Sequence, residues 1–394
     1  MSNPAPASPR LASPRALLEL AGIAAAPLRY GHAVRILRDG GAAFPAMLAG
    51  IRAAQRDVSF ENFIIADDQT GRDFTAGLER ARARGARVRV LYDPVGTLLV
   101  KGGSVARRLK DARVDARAFR PLSPLAPWSW LRLRHRDHRK LLVCDDLIAF
   151  VGGICIADHW APSGRGGAGW RDTAVSIRGP AVGDFQRAFE RMWRRARLQT
   201  PGEHAPRRPP GEKGEAAVIV VGDRPGLGRV AEIYEWLADR AQESIELTDA
   251  YFVAPRRVLE ALTRAARRGI RVRLLLPGRN NHPVAGLAAR RIYEPLLEAG
   301  AEIYEWTGVM LHAKTAVVDG VVSLVGSSNL DPLSLRRNYE LNALVADPAT
   351  GAAMRALFAA DLEQATPVVA DEWRRRPLRA RAAEAAARLF ADVL

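Results

Sequence analysis

One short pattern occurs twice in this chain, and both copies keep the same internal spacing. Each has His-x-Lys, then Asp five residues after the Lys, then six residues and a run of small residues. The first copy comprises His138, Lys140, Asp145, Gly152 and Gly153, and the second comprises His312, Lys314, Asp319, Gly326, Ser327, Ser328 and Asn329. Chance would give only about 0.1 His-x-Lys pair in a chain of this composition. Two matching copies therefore indicate an internal repeat with shared chemistry.

Longer segments repeat around this pattern. RARARGARVRVLYD (80–93) and RAARRGIRVRLLLP (264–277) each resemble a helix end, a capping glycine and an apolar strand. Upstream of each lies another strand-like stretch, VSFENFIIADD (58–68) or IELTDAYFVAP (245–255). Alternating strands and helices predict an α/β fold. We expect two similar α-β-α sandwich halves related by a pseudo-twofold axis.

The repeat also suggests domain boundaries. A stretch rich in Pro, Gly and charge separates the two halves, as is typical of a linker. The predicted segments are an N-terminal extension (1–29), a first half (30–200), a linker (201–214), a second half (215–370) and a basic C-terminal tail (371–394).

Composition narrows the class of protein. With 394 residues, 48% of them hydrophobic and 26% charged, the chain can bury a sizeable core. Its longest stretch without a charged residue, 40–51, has 12 residues, against about 20 in a spanning helix, so we expect no transmembrane segment. The N-terminus lacks the pattern of a secretory signal, so the mature protein is expected to start near Met1. Two cysteines favour a reducing cytosol rather than a disulfide framework.

The net charge of +16 predicts a polyanionic partner. Both nucleic acid and an anionic membrane surface satisfy that condition. Against nucleic acid, the chain has no clear track of interleaved aromatic and basic residues, such as single-strand binders use. No nucleic-acid partner is therefore expected, and no oligomeric state is predicted.

The spacing of the repeated pattern favours phosphodiester chemistry. Residues i and i+2 of a strand point to the same face, so His138 and Lys140 project together, as do His312 and Lys314. A twofold arrangement would join the two pairs into one site. The lysines would neutralise phosphate oxygens without a metal or cofactor, while one histidine attacks phosphorus and the other protonates the leaving alkoxide. Small residues could let donors approach the phosphate: Gly152, Gly153, Ser327, Ser328 and Asn329.

Each histidine also needs an acid that orients it. Asp172, 34 residues after His138, and Glu340, 28 residues after His312, are the candidates. Asp145 and Asp319 are counted with the catalytic set, although turn stabilisation at the strand exit explains them at least as well.

These residues resemble the phospholipase D superfamily, whose hallmark is H-x-K-x4-D followed by G-G or G-S. The likeness extends from about Tyr30 to Asp361. Several passages look more narrowly like bacterial cardiolipin synthases, in a branch without N-terminal spans: RHRDHRKLLVCDD, WRDTAVSIRGPAV, LHAKTAVVDG and GSSNLDPLSLRRNYELN. The resemblance implies a peripheral enzyme on the cytoplasmic face of the inner membrane that acts on anionic phospholipid.

The same resemblance implies a mechanism. A phosphatidyl group would move between phosphatidylglycerol molecules through a phosphohistidine, with His138 as nucleophile and His312 as general acid. One position departs from the family pattern, because Cys155 stands where an Asn is usual. As a free cysteine it is better explained as a small buried residue than as a catalytic thiol.

Two segments could contact a membrane. PLAPWSWLRLRHR (124–136) interleaves tryptophan and leucine with arginine, and the tail (372–394) carries apolar residues beside a dense arginine face. A loop entering a strand explains the first equally well, and a helix docked on the protein is the simpler interpretation of the second.

Two alternatives to phosphatidyl transfer remain open. The same His-Lys pairs could serve a phospholipase D-type hydrolase or a nuclease, with water as acceptor. A non-catalytic lipid- or nucleic-acid-binding scaffold is the third possibility.

Overall fold

The structure is a computed structural model that describes residues 11–99, 104–122, 135–196 and 214–389. Within them fifteen strands form one sheet, in the order β15-β11-β10-β9-β12-β13-β14-β8-β1-β7-β6-β5-β2-β3-β4. The strands are β1 (Leu28–Arg38), β2 (Asp57–Asn62), β3 (Arg87–Tyr92), β4 (Asp115–Ala118), β5 (Leu141–Cys144), β6 (Ile148–Gly152), β7 (Thr173–Arg178), β8 (Ala216–Asp223), β9 (Ser244–Thr248), β10 (Arg271–Pro277), β11 (Glu302–Trp306), β12 (Thr315–Val318), β13 (Val322–Gly326), β14 (Glu340–Ala346) and β15 (Ala365–Pro367).

Helices cover the sheet, and two short 3-10 turns lie at Asp158–Trp160 and Ser163–Arg165. The helices are α1 (Pro14–Ala24), α2 (Asp39–Ala53), α3 (Gln69–Ala83), α4 (Pro94–Leu99), α5 (Val105–Asp111), α6 (Val182–Ala196), α7 (Arg229–Arg240), α8 (Arg256–Arg267), α9 (Pro283–Arg290), α10 (Tyr293–Glu298), α11 (Pro332–Arg336), α12 (Pro348–Leu362), α13 (Ala370–Arg374) and α14 (Leu378–Leu389).

The strand order confirms the predicted duplicated α/β fold. From the central antiparallel pair β1–β8, one side runs β7, β6, β5, β2, β3, β4, and the other runs β14, β13, β12, β9, β10, β11. In each half the three outer strands of this series are parallel and the others antiparallel. The capping glycines also have the expected left-handed conformation, with φ of +98° at Gly85 and +87° at Gly269.

A shared core joins the halves. Three large side chains of α6, Phe185, Phe189 and Trp193, are buried in one apolar cluster with Val143 of β5 and Val325 of β13. Burying one such side chain stabilises a fold by roughly 1.5–3 kcal/mol. This cluster therefore fixes the two halves against each other and, with them, the ends of the strands that carry the repeated pattern.

The chain termini pack on the second half. Helix α1, capped by the Ser13 side chain, buries Leu17 and Leu20 in the same core as β8 and α7. In the C-terminal tail, Trp373 stacks on Tyr293 with ring centroids 4.9 Å apart. Helix α14 contacts α9 and buries Glu384, which accepts a hydrogen bond from Arg376. The described part of the tail is thus docked on the protein, as the simpler interpretation had it.

Two predicted segments lie outside the described residues. Apart from Gly214, the linker 201–214 is not described. The same holds for 123–134, which contains the tryptophans of the predicted membrane-contacting segment. Among the described residues, no helix combines the length and apolar character needed to cross a bilayer.

Candidate active site

Two β-bridges between the halves build the site. One joins Asp137 to Tyr339, and the other joins Arg171 to Leu311. The His138 N–H donates to Tyr339 O at 3.0 Å, and the His312 N–H donates to Arg171 O at 2.7 Å. Each histidine is therefore held beside the segment that carries an acidic residue of the other half.

Each candidate acid contacts the histidine of the other half. Asp172 follows His138 in sequence but contacts His312, and Glu340 follows His312 but contacts His138. The His138 Nδ1–H donates to Glu340, with 3.0 and 3.1 Å to the two carboxylate oxygens. His312 Nδ1 lies 2.7 Å from Asp172 Oδ2. Asp172 and Glu340 are fully buried, whereas 12% of the His138 side chain and 8% of the His312 side chain are exposed. Neither half alone therefore contains a histidine together with its acid.

The two lysines bind backbone beside their own histidines. Lys140 Nζ donates to His138 O at 2.5 Å, and Lys314 Nζ donates to His312 O. Lys314 Nζ also lies 2.9 Å from His312 Nδ1. A carboxylate only accepts hydrogen bonds, so the Nδ1 proton must point to Asp172. The Nε2 lone pair of His312 then carries no proton, and the same reasoning holds for His138 when Glu340 is ionised.

The positive charges of the lysines act across the two halves. Burial, Lys140 and Lys314 together hold the pKa of His138 well below its usual value. Burial and Lys314, with a smaller contribution from Lys140, lower the pKa of His312 to about 3. Each imidazole thus feels the ammonium of the other half, as expected when both His-Lys pairs share one site. In the free enzyme both histidines are therefore neutral at pH 7.

The two acids differ in charge. Burial alone would raise the pKa of Asp172, but His312 and Lys314 reverse that effect and lower it. Burial raises the pKa of Glu340 to about 7, with Lys140 and Ser327 opposing the rise. Asp172 is therefore ionised at neutral pH, while Glu340 titrates there. The pseudosymmetric site is asymmetric in its electrostatics.

Aromatic side chains that the sequence interpretation did not include line the histidines. Phe63 packs edge-on against His138 with ring centroids 4.9 Å apart, and Trp160 and Tyr251 pack on His312 at 5.2 and 6.1 Å. Trp160 Nε1 also donates to Asp172 Oδ2 at 2.8 Å. The sequence contained a signal for two of these residues. Strand β2 pairs with β5 and strand β9 pairs with β12, and an aromatic residue closely follows each of them: Phe63 after β2 and Tyr251 after β9.

Buried arginines next to the site were also missed. Arg136 binds Asp93 through two nitrogens, at 2.8 and 2.9 Å. Arg171 binds Asp361 in the same way, at 2.6 and 2.9 Å. Both arginines lie on the bridging segments, so these ion pairs stabilise the backbone that positions His138 and Asp172.

The small residues predicted to bind phosphate mainly contact protein groups. A Cβ on Gly153 would lie 2.2 Å from Asp172 Oδ1, so only glycine lets that carboxylate reach His312. A Cβ on Gly152 would meet Thr173 O at 2.4 Å. Ser327 Oγ donates to Glu340, and Ser328 Oγ accepts from Asn342. Asn329 Oδ1 is buried and lacks a hydrogen-bond partner among the described residues. The phosphate-binding role of all five stays a prediction.

Asp145 and Asp319 lie outside the site, at the opposite ends of β5 and β12 from the histidines. Asp145 accepts hydrogen bonds from three consecutive backbone N–H groups, of residues 55–57, each at 2.8 Å. Asp319 does the same for residues 242–244 at 2.8–3.1 Å. Both have φ above +50°. These contacts are those of turn-stabilising residues and favour that alternative, while the place of the two acids in the catalytic set stays a prediction.

Cys155 is buried beside the site. Burial raises the pKa of its thiol, which disfavours the thiolate that nucleophilic chemistry needs. Among the described residues, no group of three or more His, Cys, Asp or Glu has the geometry to hold a metal ion. The groups available for chemistry are two neutral imidazoles, two ammoniums and two buried carboxylates, a set suited to covalent and acid-base catalysis at an anionic centre.

Comparison with known proteins gives a consistent result. Residues 236–362 match the family described as "Cardiolipin synthase, PLD-like domain". A cardiolipin synthase of Geobacillus sp. (strain WCH70) is 31% identical over 96% of this chain and 76% of its own length. The major cardiolipin synthase of Bacillus subtilis (strain 168) is 30% identical over 92% of this chain and 76% of its own.

A solved structure shares the fold. It is phosphatidylserine synthase from Haemophilus influenzae Rd KW20, with a TM-score of 0.69 and 15% identity, covering 95% of this chain and 98% of that one. That likeness concerns the fold alone, and the sequence matches show that the chain belongs to the cardiolipin synthase family of phospholipase D-superfamily enzymes.

Proposed function

We propose that this enzyme transfers a phosphatidyl group from one phosphatidylglycerol to another, forming cardiolipin and releasing glycerol. The observation that carries the proposal is the pair of His-Lys units, each histidine oriented by a carboxylate of the other half. Cardiolipin synthases similar over nearly the whole chain support the choice of substrate.

In the first step, His138 Nε2 attacks the phosphorus of phosphatidylglycerol. A nitrogen–phosphorus bond forms, the bond from phosphorus to the glycerol oxygen breaks, and His312 gives that oxygen its proton. His312 is neutral in the free enzyme, but a bound phosphodiester offsets the charges of Lys140 and Lys314 and so raises the proton affinity of His312. Ionised Asp172 then stabilises the His312 imidazolium.

In the second step, neutral His312 accepts the proton of a hydroxyl on a second phosphatidylglycerol. The resulting oxygen attacks phosphorus, the bond to His138 breaks, and cardiolipin leaves. The two acids support this division of roles. The ionised carboxylate, Asp172, lies beside the histidine that must become cationic, while the more weakly acidic Glu340 orients the nucleophile.

Product analysis tests the proposal. Purified protein incubated with phosphatidylglycerol labelled in its glycerol headgroup should release one labelled glycerol for each cardiolipin formed. Phosphatidic acid as the main product would instead assign a hydrolase, and cleavage of an oligonucleotide without lipid turnover would assign a nuclease. Unchanged cardiolipin formation by His138→Ala and His312→Ala would exclude both histidines from the reaction.

The enzyme is also proposed to work as a peripheral protein on the cytoplasmic face of the inner membrane. One strongly exposed apolar side chain from each half lies next to the site. Leu98 lies two residues after Gly96, which packs against Phe63, the aromatic residue beside His138. Val309 lies one residue before Met310, whose carbonyl accepts a hydrogen bond from the Arg171 N–H on a bridging segment. Both side chains are 64% exposed. Such residues can insert at the level of the lipid headgroups.

Replacing either residue by an acid tests this contact. Leu98→Glu and Val309→Glu should each weaken binding to vesicles containing phosphatidylglycerol about tenfold, because apolar burial is lost and a negative charge meets an anionic surface. Sedimentation with vesicles measures the affinity. Leu18→Glu, at an equally exposed leucine on α1, is the matched control and should bind as the wild type does. Equal binding by all four proteins would place the membrane contact elsewhere.

The pH profile follows from two groups. Glu340, with a pKa of about 7, orients His138 best when ionised, so kcat/KM should rise through pH 7. Burial lowers the pKa of Lys314 to about 8, so kcat/KM should fall above pH 8 as its ammonium is lost. A bell-shaped profile reports such groups in the free enzyme. Asp249 and Asp331 also have pKa values of about 7, raised by burial, so variants must assign the acidic limb.

Two variants make that assignment. Glu340→Gln should remove the acidic limb, and Lys314→Arg should remove the alkaline limb, since arginine stays charged throughout the range. Each profile is normalised to its own maximum, so a lower rate does not hide the change in shape. An alkaline limb that persists at the same pH in Lys314→Arg would contradict the role given to that ammonium.

A further inference from the structure

A second basic cavity lies behind the catalytic histidine. It has a volume of about 700 Å³, within the usual range for small-molecule sites. Seven arginines line it: Arg187, Arg191 and Arg195 of α6, Arg224 and Arg229 near the start of α7, Arg29 of β1, and Arg139. We call it the α6 arginine cavity.

The α6 arginine cavity is separate from the site that holds the two His-Lys pairs. Arg139 lies between His138 and Lys140 in sequence, and in an extended segment alternate side chains point to opposite sides. Consistent with this, the Arg139 guanidinium donates to Ala188 O of α6 at 3.2 Å, whereas His138 contacts Glu340. Glu340 lines the cavity as well. The two sites are therefore back to back, with Glu340 between them.

Among the residues that the structure describes, positive charge in the cavity exceeds negative charge. Three acidic residues line it: Asp184, Asp223 and Glu340. Asp184 already pairs with Arg29 and Arg187. Asp223 accepts backbone N–H groups of residues 224 and 230, and Glu340 is used by His138. Arg139 pairs with Glu61 outside the cavity lining. The other four arginines therefore have no ion pair within the described part of the chain: Arg191, Arg195, Arg224 and Arg229.

Arg191 and Arg224 illustrate this excess. Both are exposed toward solvent, and neither guanidinium has a hydrogen bond or ion pair to any residue that the structure describes. The inner part of the Arg191 side chain is buried, and this burial, followed by the positive charges of Arg139 and Arg187, lowers the pKa of Arg191, while Asp184 opposes the shift. The three arginines of α6 are spaced four residues apart, an arrangement that costs helix stability when no anion is present. An anion in the cavity would remove that cost.

We propose that the α6 arginine cavity binds a phosphate-bearing anion, at a site additional to the catalytic one. Arginine forks suit the oxygens of phosphate, and the volume leaves room for a glycerol moiety attached to it. The ligand is either a soluble phosphate monoester or the phosphodiester headgroup of an anionic lipid. The inference does not depend on the reaction proposed above, because it concerns binding alone.

Equilibrium dialysis of the full chain with radiolabelled inorganic phosphate tests this site. The double variant Arg191→Gln/Arg224→Gln should bind one equivalent less than the wild type, or bind its second equivalent at least tenfold more weakly. Arg194→Gln/Arg267→Gln is the matched control, since it removes two exposed arginines, one of them on α6, that do not line the cavity. It should retain the stoichiometry of the wild type.

Any contribution of the catalytic site cancels in this comparison, so a failure of the proposed reaction does not affect the result. The same stoichiometry and affinity in wild type and double variant, including no binding by either, would overturn the proposal. Melting temperatures check that the variants fold. If the double variant does not fold, the single variant Arg224→Gln replaces it and should show the same loss of phosphate binding. Competition then distinguishes the sources. Displacement by glycerol 3-phosphate indicates a soluble monoester, and displacement only by glycerophosphoglycerol indicates a lipid headgroup.

Discussion

His312→Asn should lose roughly 10²- to 10⁴-fold in kcat with phosphatidylglycerol, yet retain the first step with phosphatidyl p-nitrophenol. Glycerol leaves as an alkoxide that needs a proton, whereas p-nitrophenolate leaves without one. His138→Asn should fail with both substrates, because the attacking nitrogen itself is missing. Release of p-nitrophenolate, followed by absorbance, measures the first step directly.

The same assay shows whether a covalent intermediate forms. In His312→Asn a burst of p-nitrophenolate, close to one equivalent per enzyme, should precede slow turnover, with acid-labile phosphate attached to the protein. Arg267→Gln, at an exposed position of α8 outside the catalytic set, is the control and should behave as the wild type. The opposite pattern, with only His138→Asn retaining activity on the ester, would reverse the two roles.

Asp172→Asn should lower kcat about 10³-fold with little change in KM. Asp172 Oδ2 accepts from Trp160 and His312, and its Oδ1 accepts from the Thr173 N–H at 2.7 Å. An amide in this position turns its NH₂ toward a donor in either orientation. The negative charge that stabilises the His312 imidazolium is also lost. Steady-state kinetics at pH 7.5, with the melting temperature recorded alongside, measures the effect.

Asp145→Asn is the matched control for this substitution. It weakens hydrogen bonds from three backbone N–H groups, so it should reduce the free energy of unfolding by about 1–3 kcal/mol. The kcat of the folded fraction should stay within twofold of the wild type. If Asp172→Asn remained within threefold of the wild-type kcat, the orienting role assigned to Asp172 would be wrong.

The sequence predicted the parts of this site that depend on local geometry. Strand alternation places His138 beside Lys140, and His312 beside Lys314, whatever the rest of the chain does. Identical spacing in both halves then indicated duplication, which the strand order confirms. The capping glycines could be identified for the same reason, because their conformation is set within a few residues.

The remaining features depend on long-range contacts. Glu340 follows His138 by 202 residues, and Asp172 precedes His312 by 140. The β-bridges and the shared core between the halves bring these pairs together, and no local pattern encodes them. For Asp145 and Asp319 the local pattern is present, but it does not reveal what the residues do. They keep the same spacing as the catalytic residues because both copies need the same turn, so spacing alone does not distinguish stabilisation from catalysis.

The crossed pairing of acids and histidines makes catalysis depend on intact docking of the two halves. If local opening separated them, His138 and His312 would lose their carboxylates at the same moment. A partly opened molecule would therefore be inert rather than a leaky hydrolase that degrades its own substrate. During synthesis, likewise, the first half leaves the ribosome long before residue 340 exists. The catalyst can thus form only once the chain has been completed through that residue and folded.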